Sequence, residues 1–138
     1  MSGRWEHFAH GADIGVRGIG STEGQAFEQA ALAMTAVIIE PSTVAAREMR
    51  NVDCEAPDDE LLFVEWLNSL IYLMAVHKML FSRFAVQLQG GLLRGEAWGE
   101  RFDRTRYEAA VEIKGATYTM LCVTHENGLW VAQTVVDV

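Results

Sequence analysis

Two aspartates near opposite ends of the 138-residue chain are the side chains best suited by type to do chemistry. Asp13 stands in the stretch HFAHGADIG, between Gly11 and Gly15, and Asp137 stands in the closing TVVDV, followed by Val138 and its carboxylate. A carboxylate in a glycine-flanked turn can approach a cation together with neighbouring carbonyl oxygens, and hard ions such as calcium and magnesium take oxygen ligands. An aspartate in a turn usually closes an Asx turn or caps a helix, and one near a chain end is usually solvated. The residue types alone favour that second reading and support a metal site only weakly.

Other chemistries find less support. The four histidines, His7, His10, His77 and His125, form no H-x-x-x-H pair on a helix, and His7 and His10 lie three apart on an expected strand, where they face opposite sides. All four read as structural. Cys54 and Cys122 make no C-x-x-C and no zinc-ligand spacing, which fits a reduced, cytoplasmic setting. No nucleophile elbow or P-loop is present, and the glycines of GVRGIG run along a strand instead of into a helix cap. With no Ser/His/Asp order either, an enzyme reading has little to rest on. Nineteen acids against eleven bases give a net charge of −8, which repels phosphate backbones and argues against autonomous binding to nucleic acid. A basic protein or a metal ion is the partner that this charge suits.

The elements that must position the aspartates follow from periodicity. The length predicts one domain over residues 1–138, with half the residues hydrophobic and a core within reach. Thr22 and Gln25 form a capping-box pair that opens a first helix, whose apolar face runs through Ala26, Phe27, Ala30, Ala31, Met34, Val37 and Ile38. A second helix starts after Pro57 with Asp58, Asp59 and Glu60, acids suited to the positive end of a helix dipole. Its stripe is Phe63, Trp66, Leu67, Leu70, Ile71 and Met74; Asn68 falls off it and is expected to be solvated. This longest apolar segment also carries Glu65 and His77, so no membrane span is expected. RWEHFA, DIGVRGI, VAAREMRNVDCE, FAVQLQ, YEAAVEI, TYTMLCVT and LWVAQTVVDV read as strands, with Asn127-Gly128 as a tight hairpin turn. The expected fold is α+β: a single domain with two long helices packed on a mostly antiparallel sheet.

Several segments in this order resemble the archease family, the small protein cofactors of RtcB-type RNA ligases: HGADIGVRGIG, TEGQAFEQAA, LLFVEWLNSLIYL, LFSRF, GERFD, IKGATYT and WVAQTVVDV. The family usually has His-Thr-Ala-Asp where this chain has HGAD, and a histidine where it has Thr119. The resemblance implies a strand-helix-strand-strand type of fold. It also implies a divalent-metal site made by Asp13, Asp137 and Val138, with calcium as the expected ion and magnesium or manganese as alternatives, and a required lysine beside it, Lys114. The implied function is activation of an RNA ligase by promoting its guanylylation and repeated turnover, in tRNA splicing or RNA repair, with no catalysis of its own. A chaperone-like or adaptor module without a dedicated metal tip is the rival reading, and a metal-dependent hydrolase is a third.

Overall fold

A computed structural model of the chain describes residues 3–102 and 111–138. The element order is β1 (Arg4–His10), β2 (Asp13–Gly20), α1 (Glu23–Ile38), a short 3-10 turn (Pro41–Thr43), β3 (Glu48–Glu55), α2 (Asp59–His77), β4 (Met79–Gln89), β5 (Leu92–Arg101), β6 (Gly115–Ala116), β7 (Cys122–Glu126) and β8 (Leu129–Asp137).

Both helices start where their caps dictate. The Thr22 hydroxyl oxygen accepts the Gln25 N–H at 3.1 Å, while Gln25 Oε1 accepts the N–H of Ser21 at 2.7 Å, one residue earlier than a standard capping box would have it. Asp58 Oδ1 accepts the Leu61 N–H at 2.8 Å and opens α2, which closes at Lys78 in a left-handed conformation. By length and apolarity α2 could cross a membrane, but its Phe63, Trp66, Leu67 and Leu70 are buried in the core.

The expected single sheet is two. β1-β2-β8-β6 form one sheet, with β7 also paired to β8, and β3-β5-β4 form another; every described pairing is antiparallel. The helices bridge them: α1 lies against β2 and β4, and α2 against β3, β6 and β7. One continuous apolar cluster joins Phe27 and Met34 of α1, Phe63 and Trp66 of α2, Val16 and Val136 of the larger sheet and Phe81 and Leu93 of the smaller. Two hydrogen bonds fix the layers: Trp66 Nε1–H donates to the Phe27 carbonyl at 3.1 Å, and the Thr35 hydroxyl to the Phe81 carbonyl at 2.8 Å. Close approach explains one glycine of GVRGIG, because a Cβ at Gly18 would lie 2.0 Å from the Ala26 carbonyl oxygen and 2.3 Å from the Ala30 nitrogen. The α1 backbone therefore rests directly on β2.

Three further expectations change. TYTMLCVT is not one strand: after Ala116 the chain turns through Tyr118, Thr119 and Met120, with Met120 at φ 57, before β7 begins. YEAAVEI falls largely on residues outside those described, and residues 111–114 carry no regular structure. Asn68 is half-buried and bonded to β6 instead of being solvated. The Asn127-Gly128 hairpin forms as expected, both residues at positive φ between the paired Glu126 and Leu129.

Candidate functional site

The N-terminal hairpin turns at Gly11, with φ 60, and Ala12, so Asp13 is the first residue of β2 instead of a turn residue. β2 pairs with β8 in a register that ends with Ile14 opposite Val136, so Asp13 and Asp137 are the next residue outward on their two strands. On the other edge of β8, Gly115 is opposite Asp137, and the Lys114 N–H donates to the Asp137 carbonyl oxygen at 2.8 Å. Asp13, Asp137 and Lys114 are therefore brought side by side on three adjacent segments, at one end of the larger sheet. Directly opposed residues of antiparallel strands share a face with Cβ atoms about 4.5–5.5 Å apart, and like charges in that arrangement repel. Asp13 is half-buried, while Asp137 and Lys114 are exposed. Val138 packs against the core and so holds the residue after Asp137 in place.

The donor chemistry suits a hard cation, since two opposed carboxylates offer oxygen ligands and a repulsion that a divalent ion would relieve. Among the described residues, however, no three His, Cys, Asp or Glu side chains gather closely enough to hold an ion. His10 is paired with Asp13 in the same row without joining such a cluster. Any ion held here would need further donors besides Asp13 and Asp137, such as main-chain carbonyl oxygens or groups of a partner. The other histidines with described contacts are structural: His7 Nε2 lies 2.7 Å from the Ala33 carbonyl oxygen, and His125 stacks on Trp130 with ring centroids 4.6 Å apart.

Several residues that sequence reasoning missed hold this end of the sheet. Asn68 of α2 accepts the Ala116 N–H at 2.9 Å and donates to the Ala116 carbonyl at 3.4 Å, and Glu60 Oε2 accepts the Val123 N–H at 3.0 Å. Helix α2 thus pins the segment that carries Lys114 at β6 and again at β7. Thr134, fully buried in β8, directs its hydroxyl at two carbonyls of the intervening turn, Thr117 at 2.5 Å and Thr119 at 3.2 Å. The only signals available in sequence were an amide inside an apolar helix and a threonine inside an apolar strand. Thr119, where the family usually has histidine, contributes its carbonyl, which also accepts the Val135 N–H at 3.1 Å.

A large acid shift lies elsewhere, past the far end of β2 from Asp13. Burial pushes the Glu23 carboxyl up to about 7, helped by a hydrogen bond to Asp59 and by the negative charges of Asp59 and Glu60. The first turns of the two helices meet there. Burial also raises the Glu28 carboxyl, against the lowering effect of the Val86 N–H it accepts at 2.8 Å. The Cys54 thiol is raised chiefly by burial, which disfavours a reactive thiolate.

An antiparallel α+β domain whose N-terminal hairpin and last strand together present two aspartates defines a small protein with its polar chemistry at one edge. The model of the Archease protein family (MTH1598/TM1083) matches residues 5–138, and the chain belongs to that family. It is 36% identical to the protein archease of Pyrococcus furiosus over 140 residues, covering 98% of this chain and 99% of the relative. It is likewise 36% identical to the protein archease of Sulfurisphaera tokodaii over 137 residues, with 98% and 99% covered. The solution structure of Methanobacterium thermoautotrophicum protein 1598 superposes with a TM-score of 0.85 at 33% identity, covering 97% of this chain and 98% of that one. The crystal structure of a Thermotoga maritima archease, described as a "possible chaperone", shares the fold with a TM-score of 0.58 at 17% identity, over 95% and 94% of the two chains.

Proposed function

We propose that this chain is a metal-carrying protein cofactor that activates an RtcB-type RNA ligase in the cytoplasm, promoting guanylylation of the ligase and its repeated turnover in tRNA splicing or RNA repair. The observation that carries this reading is that Asp13, Asp137 and Lys114 lie on adjacent segments at one end of the larger sheet in an archease-family chain. Asp13 and Asp137, with Val138, would hold a divalent ion, with calcium the first expectation and magnesium or manganese the alternatives. The ion would neutralise the two opposed carboxylates and act as a Lewis acid toward a phosphate oxygen.

The chain's own residues do the rest. A net charge of −8 steers the domain toward a basic surface, and a cleft built to accept nucleotide and RNA phosphates is basic. Lys114 is exposed, and only its main-chain N–H is tied to Asp137, so its side chain can serve a phosphate or a partner carboxylate without being needed to hold the strand. Docking that favours the ligase conformation in which nucleotide and acceptor histidine align raises the guanylylation rate without any covalent chemistry on this chain.

Guanylylation and multiple-turnover ligation by the ligase of the same organism, measured with and without this protein, test the reading. Stimulation is expected, and its absence would end the proposal. The "possible chaperone" description of the Thermotoga maritima relative favours a second reading, a general chaperone-like or adaptor module. Retrieval of the ligase by tagged wild-type protein but not by Asp13→Asn would exclude that alternative.

A further inference from the structure

The turn that follows β6 combines two properties that rarely coincide. Tyr118 and Met120 are 68% and 54% exposed, yet the backbone that carries them is firmly held. The Thr117 N–H donates to the Val135 carbonyl at 3.0 Å, the Val135 N–H to the Thr119 carbonyl at 3.1 Å, and the Thr134 hydroxyl to the Thr117 and Thr119 carbonyls. Gln133 Nε2–H donates to the Met120 carbonyl at 3.0 Å, and Gln133 is itself held by Arg17 at 2.8 Å. Met120 keeps a left-handed backbone that disfavours any residue bearing a Cβ, and a conformation of that kind persists only where its surroundings enforce it. A rigid turn that displays an aromatic ring and a thioether to water is pre-organised for contact, because little backbone freedom remains to be lost on binding.

Its position sets it near the two aspartates. The bonds run to Val135, two residues before Asp137 on the same strand, so the apolar pair stands beside the acidic row. We propose that Tyr118 and Met120 are the apolar anchor of the ligase-docking surface, entering a recess at the rim of the basic cleft that receives Asp13, Asp137 and Lys114. This rests on the ligase-activator reading given above. Charge steers the encounter, but exposed ion pairs are weak and salt-sensitive, whereas a desolvated tyrosine and an adaptable methionine supply affinity. The anchor sets how tightly the partner is held, and the acidic row sets what happens once it is held.

The experiment titrates wild-type protein, Tyr118→Phe, Tyr118→Ala and the double variant Y118A/M120A into ligase guanylylation assays, with Asp137→Asn for comparison and melting temperatures as the folding control. The double variant is expected to raise the half-saturating concentration at least about tenfold with an unchanged plateau and melting temperature, equivalent to a tenfold loss of affinity. Tyr118→Phe should stay within about twofold of wild type, because the ring and not its hydroxyl fills the recess. Asp137→Asn should lower the plateau. A double variant that saturates like wild type overturns the anchor while leaving the activator reading intact; wild-type protein that stimulates nothing overturns both. Single-stranded RNA binding or self-association of the wild type that disappears in the double variant would assign the turn to a base or to a second copy, and would also overturn the proposal.

Discussion

Asn68 grips both backbone groups of Ala116, accepting its N–H at 2.9 Å and donating to its carbonyl at 3.4 Å. A side chain from the middle of α2 thereby supplies the hydrogen bonds that a neighbouring strand would otherwise give to two-residue β6. Asn68→Ala leaves both groups partly buried without a protein partner, a loss of about 1–3 kcal/mol. Denaturant unfolding should register that loss, and amide exchange at Ala116 should quicken more than exchange in β3 or β5. Unchanged protection at Ala116 would show that β6 is held by β8 alone.

Glu23 sets a pH dependence. Its carboxyl titrates at about 7 in the folded protein, against 4.5 as its ordinary value, so the folded state binds more protons than the unfolded state between these limits. Stability must then fall as pH rises from about 4.5 to above 7, and the full penalty is in place on the alkaline side. Glu23→Gln should raise the melting temperature at pH 7.5, leave it almost unchanged near pH 4, and flatten the profile between. A variant that melts below wild type at pH 7.5 would mean that the ionised carboxylate favours the first turn of α1 more than Asp59 and Glu60 oppose it.

Calcium should raise the melting temperature of the wild-type protein through linkage, by about 2.7 kcal/mol of added stability when free calcium is about a hundred times Kd. Asp13→Asn should abolish most of that shift, and so should residues appended after Val138, which crowd Asp137. Without calcium, Asp13→Asn should be no less stable than wild type, since it relieves the repulsion between opposed carboxylates. Equal calcium shifts in all three proteins would move the ion elsewhere.

Lys114→Ala should leave the fold and the calcium shift intact, because the bond from residue 114 to Asp137 is made by the main chain. Multiple-turnover ligation should fall about tenfold, roughly 1.4 kcal/mol of transition-state stabilisation. Undiminished ligation would remove the ammonium group from the site.

Local signals were legible in the sequence. Thr22 and Asp58 cap the helices as their types require, and Asn127-Gly128 turns the hairpin, because each of these depends on residues within a few positions. The division into two sheets was not legible, since it depends on which distant strands pair and on helices that bridge both. TYTMLCVT alternates like a strand, yet bonds from Thr134, Gln133 and Val135 bend it at Met120. The site was half legible: the spacing around Asp13 and Asp137 favoured capping and solvation over ion binding, and only the β2–β8 register makes the two neighbours. Asn68 misled because one amide in an apolar helix gives no hint of the strand it will meet.

The pairing of β2 with β8 also decides when this edge of the molecule comes into being. Arg17 and Gln133, bonded across it, are 116 positions apart, so the loop that must close is nearly the whole chain. Contacts of that span slow folding. On a ribosome, Asp13 emerges early and waits without a neighbour until β8 follows. Because β8 is the shared partner of β2, β6 and β7, a molecule in which it has not docked retains only the β1–β2 hairpin of that sheet. The acidic row is thus all or none: an immature or partly unfolded copy displays no half-active version of it, and a partner that recognises the row samples only finished molecules.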